Sequence, residues 1–199
     1  MYIEVIDRML YDVAVVGGGV AGGSAAIFLA KAGLKTLVLD NDKGQTRRAW
    51  IENHYGFPDG VAGPDLVDAG QKQAQRLGAD WQIGQVVEVV RGDGQFQLKT
   101  EDGKTYEAKQ VILATGAAMA LAEALNLEFT DGREARYPRV VKVDIDGRTS
   151  QPGIWAAGIL AGASAHTIIT AGHGAHVAIG LISELEGKRH VQHDVLEKK

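Results

Sequence analysis

The chain has 199 residues, 45% of them hydrophobic and 6% aromatic, with a formal net charge of −4, 26 glycines and no cysteine. That length suits one domain, or one with an embellishment, and buries about 70% of the unfolded surface. The missing cysteines exclude disulfides, thiolate metal sites and a dithiol relay built from these residues. The small negative charge offers nothing to nucleic acid or an anionic membrane. No secretory signal and no apolar run of membrane length are read, so the expectation is a cytoplasmic protein with no membrane or nucleic-acid partner.

Residues 1–10 are expected to be a loose extension, with Met9 a natural start. Asp12 to Val16 reads as a short buried strand. Gly17, Gly19 and Gly22 follow at GxGxxG spacing, Gly22 to Ala32 reads as a helix closed by Gly33, and Thr36 to Leu39 reads as a second buried strand ended by Asp40. Strand, glycines, helix, strand and acid in this order form the dinucleotide-binding βαβ fingerprint. Gly17 permits the tight turn, Gly19 lets the backbone approach a pyrophosphate, and Gly22 with Ala26 lets the helix lie close on the strand. The helix N-terminus offers free N–H groups and the positive end of its dipole to phosphate, and Asp40 is placed to accept hydrogen bonds from a ribose.

After Asp40 a polar, glycine-punctuated stretch reads as a long functional loop. Pro64 to Gly78 reads as a helix with Pro64 near its first position and Leu66, Ala69, Ala74 and Leu77 on one face. From Trp81 to Glu107 the period becomes two, with turns at Gly92-Asp93-Gly94 and Asp102-Gly103, which predicts a three-stranded antiparallel meander. Gln110 to Thr115 is an apolar run fitting a fully buried parallel strand that ends at Gly116. Ala117 to Ala124 reads as a short helix, Arg136 to Val143 alternates, and Ile154 to Ala157 reads as a buried strand ended by Gly158. Ala165 to Leu185 is the last long helix, with Ile168, Ile169, Ala171, Ala175, Ala178, Ile179, Ile182 and Leu185 as its apolar face. Residues 11–186 are expected to form a single domain, and the charged residues 187–199 a fraying tail.

Three stretches, VVGGGVAGGSAA, VILATGA and GRTSQPGIWAAG, resemble the three flavin motifs of the thioredoxin-reductase group of pyridine-nucleotide–disulfide oxidoreductases. The resemblance runs from about Tyr11 to Leu185. It implies an α/β, Rossmann-like FAD-binding domain, with a central parallel sheet, helices on one side and an antiparallel β-meander on the other. It implies FAD as cofactor, and with no cysteine to link it the expectation is a noncovalent FAD, a histidyl link being the remaining alternative. In that group a nicotinamide-binding domain carrying the redox cysteine pair lies between the second and third motifs. Here only residues 117–148 lie there, too few for a unit of about 100 residues. The chain therefore resembles a half-size relative that lacks the NAD(P)H domain and the cysteine pair.

The motifs carry the group's site onto numbered residues. Gly17, Gly19 and Ala21 are expected at the pyrophosphate, Asp40 at the adenosine ribose, and Gly44 and Gln45 beside the pyrophosphate and ribityl. Asn53 is expected near the flavin ring, Val86 at the adenine, and Ala114, Thr115 and Gly116 along the cofactor. Gly158 closes the third motif. Ile159 follows it where the group usually has an aspartate bonding the ribityl hydroxyls. His166, Thr167 and Ile168, at the start of the last helix, are expected to face the pyrimidine side of the flavin. No catalytic residue is assigned.

His166 is read either as support for negative charge on a reduced flavin or as a polar helix-start residue. His173 and His176 have metal-pair spacing but no third ligand in local sequence, so no metal site is expected. Arg47 and Arg48 either neutralise a pyrophosphate or form an exposed basic pair, and Trp50, His54, Tyr55 and Phe57 either cover the flavin or pack their loop. The functional expectation is an FAD-dependent oxidoreductase that takes electrons from a separate donor or partner and is not itself a thioredoxin reductase. The alternative is a non-enzymatic FAD-binding sensor, carrier or regulatory module. The resemblance also implies pairing of two copies through this domain.

Overall fold

A computed structural model of the chain describes residues 9–196. The extension expected over residues 1–10 lies, up to residue 8, outside the described residues, as do residues 197–199 of the tail. Strand β1, Leu10–Val16, leads through the glycine turn into helix α1, Val20–Lys31, and then to β2, Thr36–Asp40. A short 3-10 turn, Gln45–Arg48, precedes a small hairpin of β3, Trp50–Ile51, and β4, Val61–Ala62. Helix α2 covers Gly63–Arg76 with proline in its first turn. Val67 and Ala74 are its buried apolar side chains, whereas Ala69, expected on that face, is exposed.

Strand β5, Asp80–Ile83, pairs parallel with β2 at the edge of the central sheet. The period-two reading from Trp81 onward assigned this stretch to the meander, whereas it joins β2 in parallel, with only Trp81 of its four residues buried. The meander follows as β6, Val86–Arg91, β7, Phe96–Thr100, and β8, Thr105–Leu113. The third meander strand and the buried run from Gln110, read separately in sequence, are one continuous strand. Residues 105–108 of β8 pair antiparallel with β7, and residues 111–113 pair parallel with β11, Ile154–Ala156. The change from alternating to continuous apolar residues marks the point where β8 enters the covered part of the sheet.

Between β8 and β11 lie a short helix α3, Ala120–Ala124, and a hairpin of β9, Phe129–Glu134, and β10, Tyr137–Val141. β9 is polar and mostly open to solvent, which hid it from periodicity. After β11 a 3-10 turn, Gly158–Ala161, leads to helix α4, Thr167–Glu186. The main sheet runs β5-β2-β1-β8-β7-β6, with β11 paired to β8.

Because side chains alternate across a strand, the sheet feeds two cores. Val13, Val15, Val38, Ile112 and Trp155 face α1 and α4. Ala14, Val16, Leu37, Leu39, Val111 and Leu113 face the other way, onto Val86, Val89, Phe96 and Leu98 of the meander. The result is the three-layer arrangement expected: helices, parallel sheet, meander.

The buried face of α4 is Thr170, Gly174, Val177, Ala178, Leu181 and Ile182, rotated from the expected stripe. Ile168, Ile169 and Leu185 are exposed instead. Gly174 sets this rotation, because a Cβ there would lie 2.0 Å from the Ala21 carbonyl oxygen of α1. Against the reading from sequence, α4 is long and apolar enough to cross a membrane. Val177, Ala178, Leu181 and Ile182 of that helix are buried in the protein core. Beyond α4, residues 188–196 form no helix or strand, and Asp194 pairs with Lys31 of α1.

Candidate functional site

A cleft of about 510 Å³ opens at the carboxyl ends of β1, β2 and β8, the edge where open parallel sheets receive ligands. Each glycine of the loop after β1 has a distinct task. Gly17 has φ +100°, and a Cβ there would lie 2.4 Å from the Ala114 carbonyl oxygen. Gly18 lies under the Trp81 ring, with no room for a side chain, and its N–H donates to Asp40 Oδ1 at 2.9 Å. A Cβ on Gly22 would lie 1.8 Å from the Gly17 carbonyl oxygen. Gly19 differs from all three, since a Cβ there would meet no atom within 4 Å. It lines the cleft at the N-cap of α1, which has no side-chain cap. The first N–H groups of α1, unused within the helix, are thus left for a ligand, an arrangement that favours an anion.

The cleft brings together Gly17, Gly19, Ala21, Asp40, Gly44, Gln45, Val86, Ala114, Thr115, Gly116 and Ile159. Asp40 is almost fully buried, with Oδ1 occupied by Gly18 and the second oxygen left for a ligand hydroxyl. Gln45 is held by the Tyr137 hydroxyl, which donates to its Oε1 at 2.9 Å. Val86 is steadied by Gln85, whose Nε2 donates to the Val86 carbonyl at 3.1 Å.

Asn53, Gly158, His166, Thr167 and Ile168 do not line this cleft. Gly158, at φ +73°, is wedged behind the wall, where a Cβ would lie 2.8 Å from Ala21 Cβ. Its neighbour Ile159 reaches the cleft. On α4 the lining residue is Thr170, one turn beyond the expected His166–Ile168, and its hydroxyl donates to the Ser164 carbonyl. The excluded residues still have neighbours in common: His54, next to Asn53, bonds Thr167 Oγ1 through Nδ1 at 2.9 Å, so the β3–β4 loop meets the start of α4. Burial lowers the pKa of His54. His166 is exposed and bonded to Ser164 Oγ.

Arg47 is ion-paired with Asp42 and Asp68 at 2.5 and 2.9 Å, and neither Arg47 nor Arg48 lines the cleft. Trp50 and Tyr55 are exposed, and His54 packs edge-on against Phe57. His173 Nδ1 accepts the Gly158 N–H, and burial, aided by the nearby His176, lowers its pKa. His176 Nε2 meets the Ile145 carbonyl at 2.7 Å. Among the described residues no cluster of three or more potential metal ligands occurs.

Sequence reasoning missed Asn41, Lys43, Gln85 and Thr170. Lys43 had a local signal, standing beside the expected Gly44-Gln45 pair. Gln85 likewise stands beside the expected Val86, but only folding brings it to Asn41. The titratable lining groups are Asp40 and Lys43, set among apolar walls that include Val16, Leu39, Leu121 and Ile159. Such a lining has the chemistry to hold a phosphate-bearing ligand. Its lining supplies no thiol and no histidine for bond-breaking.

Comparison with known proteins agrees with this geometry. The pyridine nucleotide-disulphide oxidoreductase family matches residues 11–133 and 62–178. A thioredoxin reductase of Listeria monocytogenes is 37% identical over 134 residues, 66% of this chain and 41% of that protein. One of Helicobacter pylori is 37% identical over 114 residues, 55% of this chain and 36% of that protein. The chain thus spans about two-fifths of the length of the curated relatives it matches. Among solved structures, a thioredoxin reductase from Gloeobacter violaceus superposes with a TM-score of 0.78 at 17% identity, covering 95% of this chain and all of that one. An oxidoreductase from Agrobacterium tumefaciens also gives 0.78 at 17% identity, covering 90% of this chain and 100% of that one. At that identity the likeness shows the fold. With the family match covering most of the chain, the chain belongs to the pyridine nucleotide-disulphide oxidoreductase family.

Proposed function

We propose that the chain is an FAD-binding oxidoreductase component that receives electrons from a separate donor or partner protein. The observation that carries this reading is Gly19, whose missing side chain leaves the N-terminus of α1 open to a cleft that also holds Asp40. The residues fit FAD in kind: helix N–H groups for a pyrophosphate, a carboxylate oxygen for ribose hydroxyls, and apolar walls for a long aromatic ligand. When bound, FAD supplies hydride and electron transfer, and the protein supplies binding and orientation. Gly19 leaves room for the phosphates between Gly17 and Ala21 on the wall, Asp40 selects the ribose, and Gln45, fixed by Tyr137, borders the middle of the cleft.

Support for a separate donor comes from the short stretch 117–148, which folds into α3 and the β9–β10 hairpin, and from the absence of any cysteine in this sequence. A cytoplasmic setting and pairing of two copies belong to the same proposal. A second reading, a non-catalytic FAD carrier or sensor, is favoured by one observation: Asp40 and Lys43 are the titratable groups on the cleft wall.

Purification without added cofactor, followed by a visible spectrum and anaerobic mixing with candidate donors, tests both readings. One noncovalent flavin per chain that turns over with a donor and an acceptor supports the oxidoreductase. Bound flavin without turnover supports the carrier. A folded protein that takes up no FAD refutes both.

A further inference from the structure

We propose that Lys43 is the residue that neutralises the phosphates of the bound dinucleotide, in place of the Arg47–Arg48 pair. The inference rests on the FAD reading above and assigns a recognition role to a residue outside all three motifs.

Three cations, Lys43, Arg47 and Arg48, stand on the segment after β2. Arg47 is consumed by Asp42 and Asp68, and neither arginine lines the cleft. Lys43 does line it, between Asn41 and Gly44. Among the described residues its ammonium has no hydrogen-bond or ion-pair partner.

The backbone around Lys43 is built to hold it there. Asp42 has φ +59°, a left-handed conformation that is costly for a residue other than glycine. Two contacts hold that turn. Asn41 Oδ1 accepts the Lys43 N–H at 3.0 Å, and the Asp42 carboxylate is tied to Arg47. Asn41 is anchored in turn, its Nδ2 donating to Gln85 Oε1 at 2.6 Å beyond the paired ends of β2 and β5. One ion pair thus withdraws Arg47 from the cleft and secures the turn that leaves Lys43 on its wall.

The charge balance gives Lys43 its task. Without it, the formal charge on the wall is the Asp40 carboxylate, which repels a pyrophosphate. The N-terminus of α1 offsets that charge only partly. A free ammonium supplies the missing positive charge as a point charge that tolerates some displacement of the phosphates.

The test titrates the purified full chain, stripped of cofactor, with FAD, ADP and riboflavin at low and at moderate salt. The variants are Lys43→Met and Lys43→Arg. Because Lys43 is exposed, both are expected to fold with unchanged circular dichroism. Lys43→Met is expected to weaken FAD and ADP by about three- to tenfold at low salt. It should also flatten the salt dependence of their binding and leave riboflavin, which has no phosphate, unaffected. Lys43→Arg should restore most of the loss. Equal FAD and ADP affinity in Lys43→Met at both salt levels overturns the inference while leaving the FAD reading intact, as does an equal loss for riboflavin. If the unmodified chain binds neither FAD nor ADP, the FAD reading fails and this inference with it.

Discussion

Gly19 and Ile159 both line the cleft, and each carries a test of the proposed FAD site. Gly19 has an ordinary φ of −65° and open space where a Cβ would stand. Gly19→Val should therefore fold, losing about 1 kcal/mol at most as a poorer helix cap, while the added branch enters the cleft. The expected outcome is a protein with near-unchanged thermal unfolding that retains no FAD, read by fluorescence titration. Full retention by the folded variant would sink the site assignment. Ile159 lines the cleft with an apolar surface where the resemblance expects a carboxylate. One added hydrogen bond contributes about 0.5–1.5 kcal/mol net, so Ile159→Asp should slow FAD loss on dilution by about two- to tenfold. An unchanged or faster loss would mean that position 159 does not face the ribityl chain.

Elements meet here through close approaches rather than through large side chains. α1 presents Ala21, Ala25 and Ala26 to its neighbours, and α4 answers with Gly174 and Ala178. A Cβ 2.0 Å from a backbone oxygen has nowhere to go, so Gly174→Ala should push the helices apart. Overpacking of this kind costs about 1–3 kcal/mol, or several degrees of melting temperature at this size, measured by calorimetry. The sheet edge is held in part by Tyr11 of β1, whose hydroxyl donates to Asp80 Oδ2 of β5 at 2.9 Å. Burial first, then this bond and the charge of Asp80, push the Tyr11 pKa from 10.0 to about 12. The proton is held more tightly folded than unfolded, so the contribution is fully present below pH 10.0 and is lost as pH rises towards about 12. The stability difference between the wild type and Tyr11→Phe, measured by denaturant unfolding, should stay constant at neutral pH and shrink across that alkaline window. A difference that grows there would contradict the sign.

At the scale of the whole molecule, the layers leave a cleft at the carboxyl ends of β1, β2 and β8. The stretch between the second and third motifs forms only a short helix and a hairpin. Efficient hydride transfer requires the nicotinamide to be held about 3–3.5 Å from its acceptor, a positioning task. The isolated chain loaded with FAD should therefore oxidise NADH and NADPH slowly, with weak saturation and little preference between them, and should not reduce thioredoxin. Anaerobic stopped-flow reduction measures this. Tight, saturable and nucleotide-selective reduction would reveal a nicotinamide site in this chain.

The βαβ unit, the meander and the cradle at Gly17, Gly19 and Gly22 were legible in the sequence because their causes are local. Glycine spacing, strand period and an acid at the end of β2 all lie within one short stretch, so this end of the cleft could be written down by residue number. The other end could not. Which turn of α4 lines the cleft depends on Gly174 meeting Ala21 across two helices, and this puts Thr170 there instead of His166, Thr167 and Ile168. The helical period alone gave a stripe but not its rotation. β5 and β9 exist because β2 and β10 offer them hydrogen-bonding edges, which no local pattern records. The roles of Lys43 and Arg47 were likewise decided by distant partners: Asp68 of α2 draws Arg47 away, and Gln85 fixes Asn41 beneath Lys43. Sequence determined which chemistry the chain carries near its glycine turn. Tertiary packing decided which side chains reach the cleft, because that depends on contacts between residues far apart along the chain.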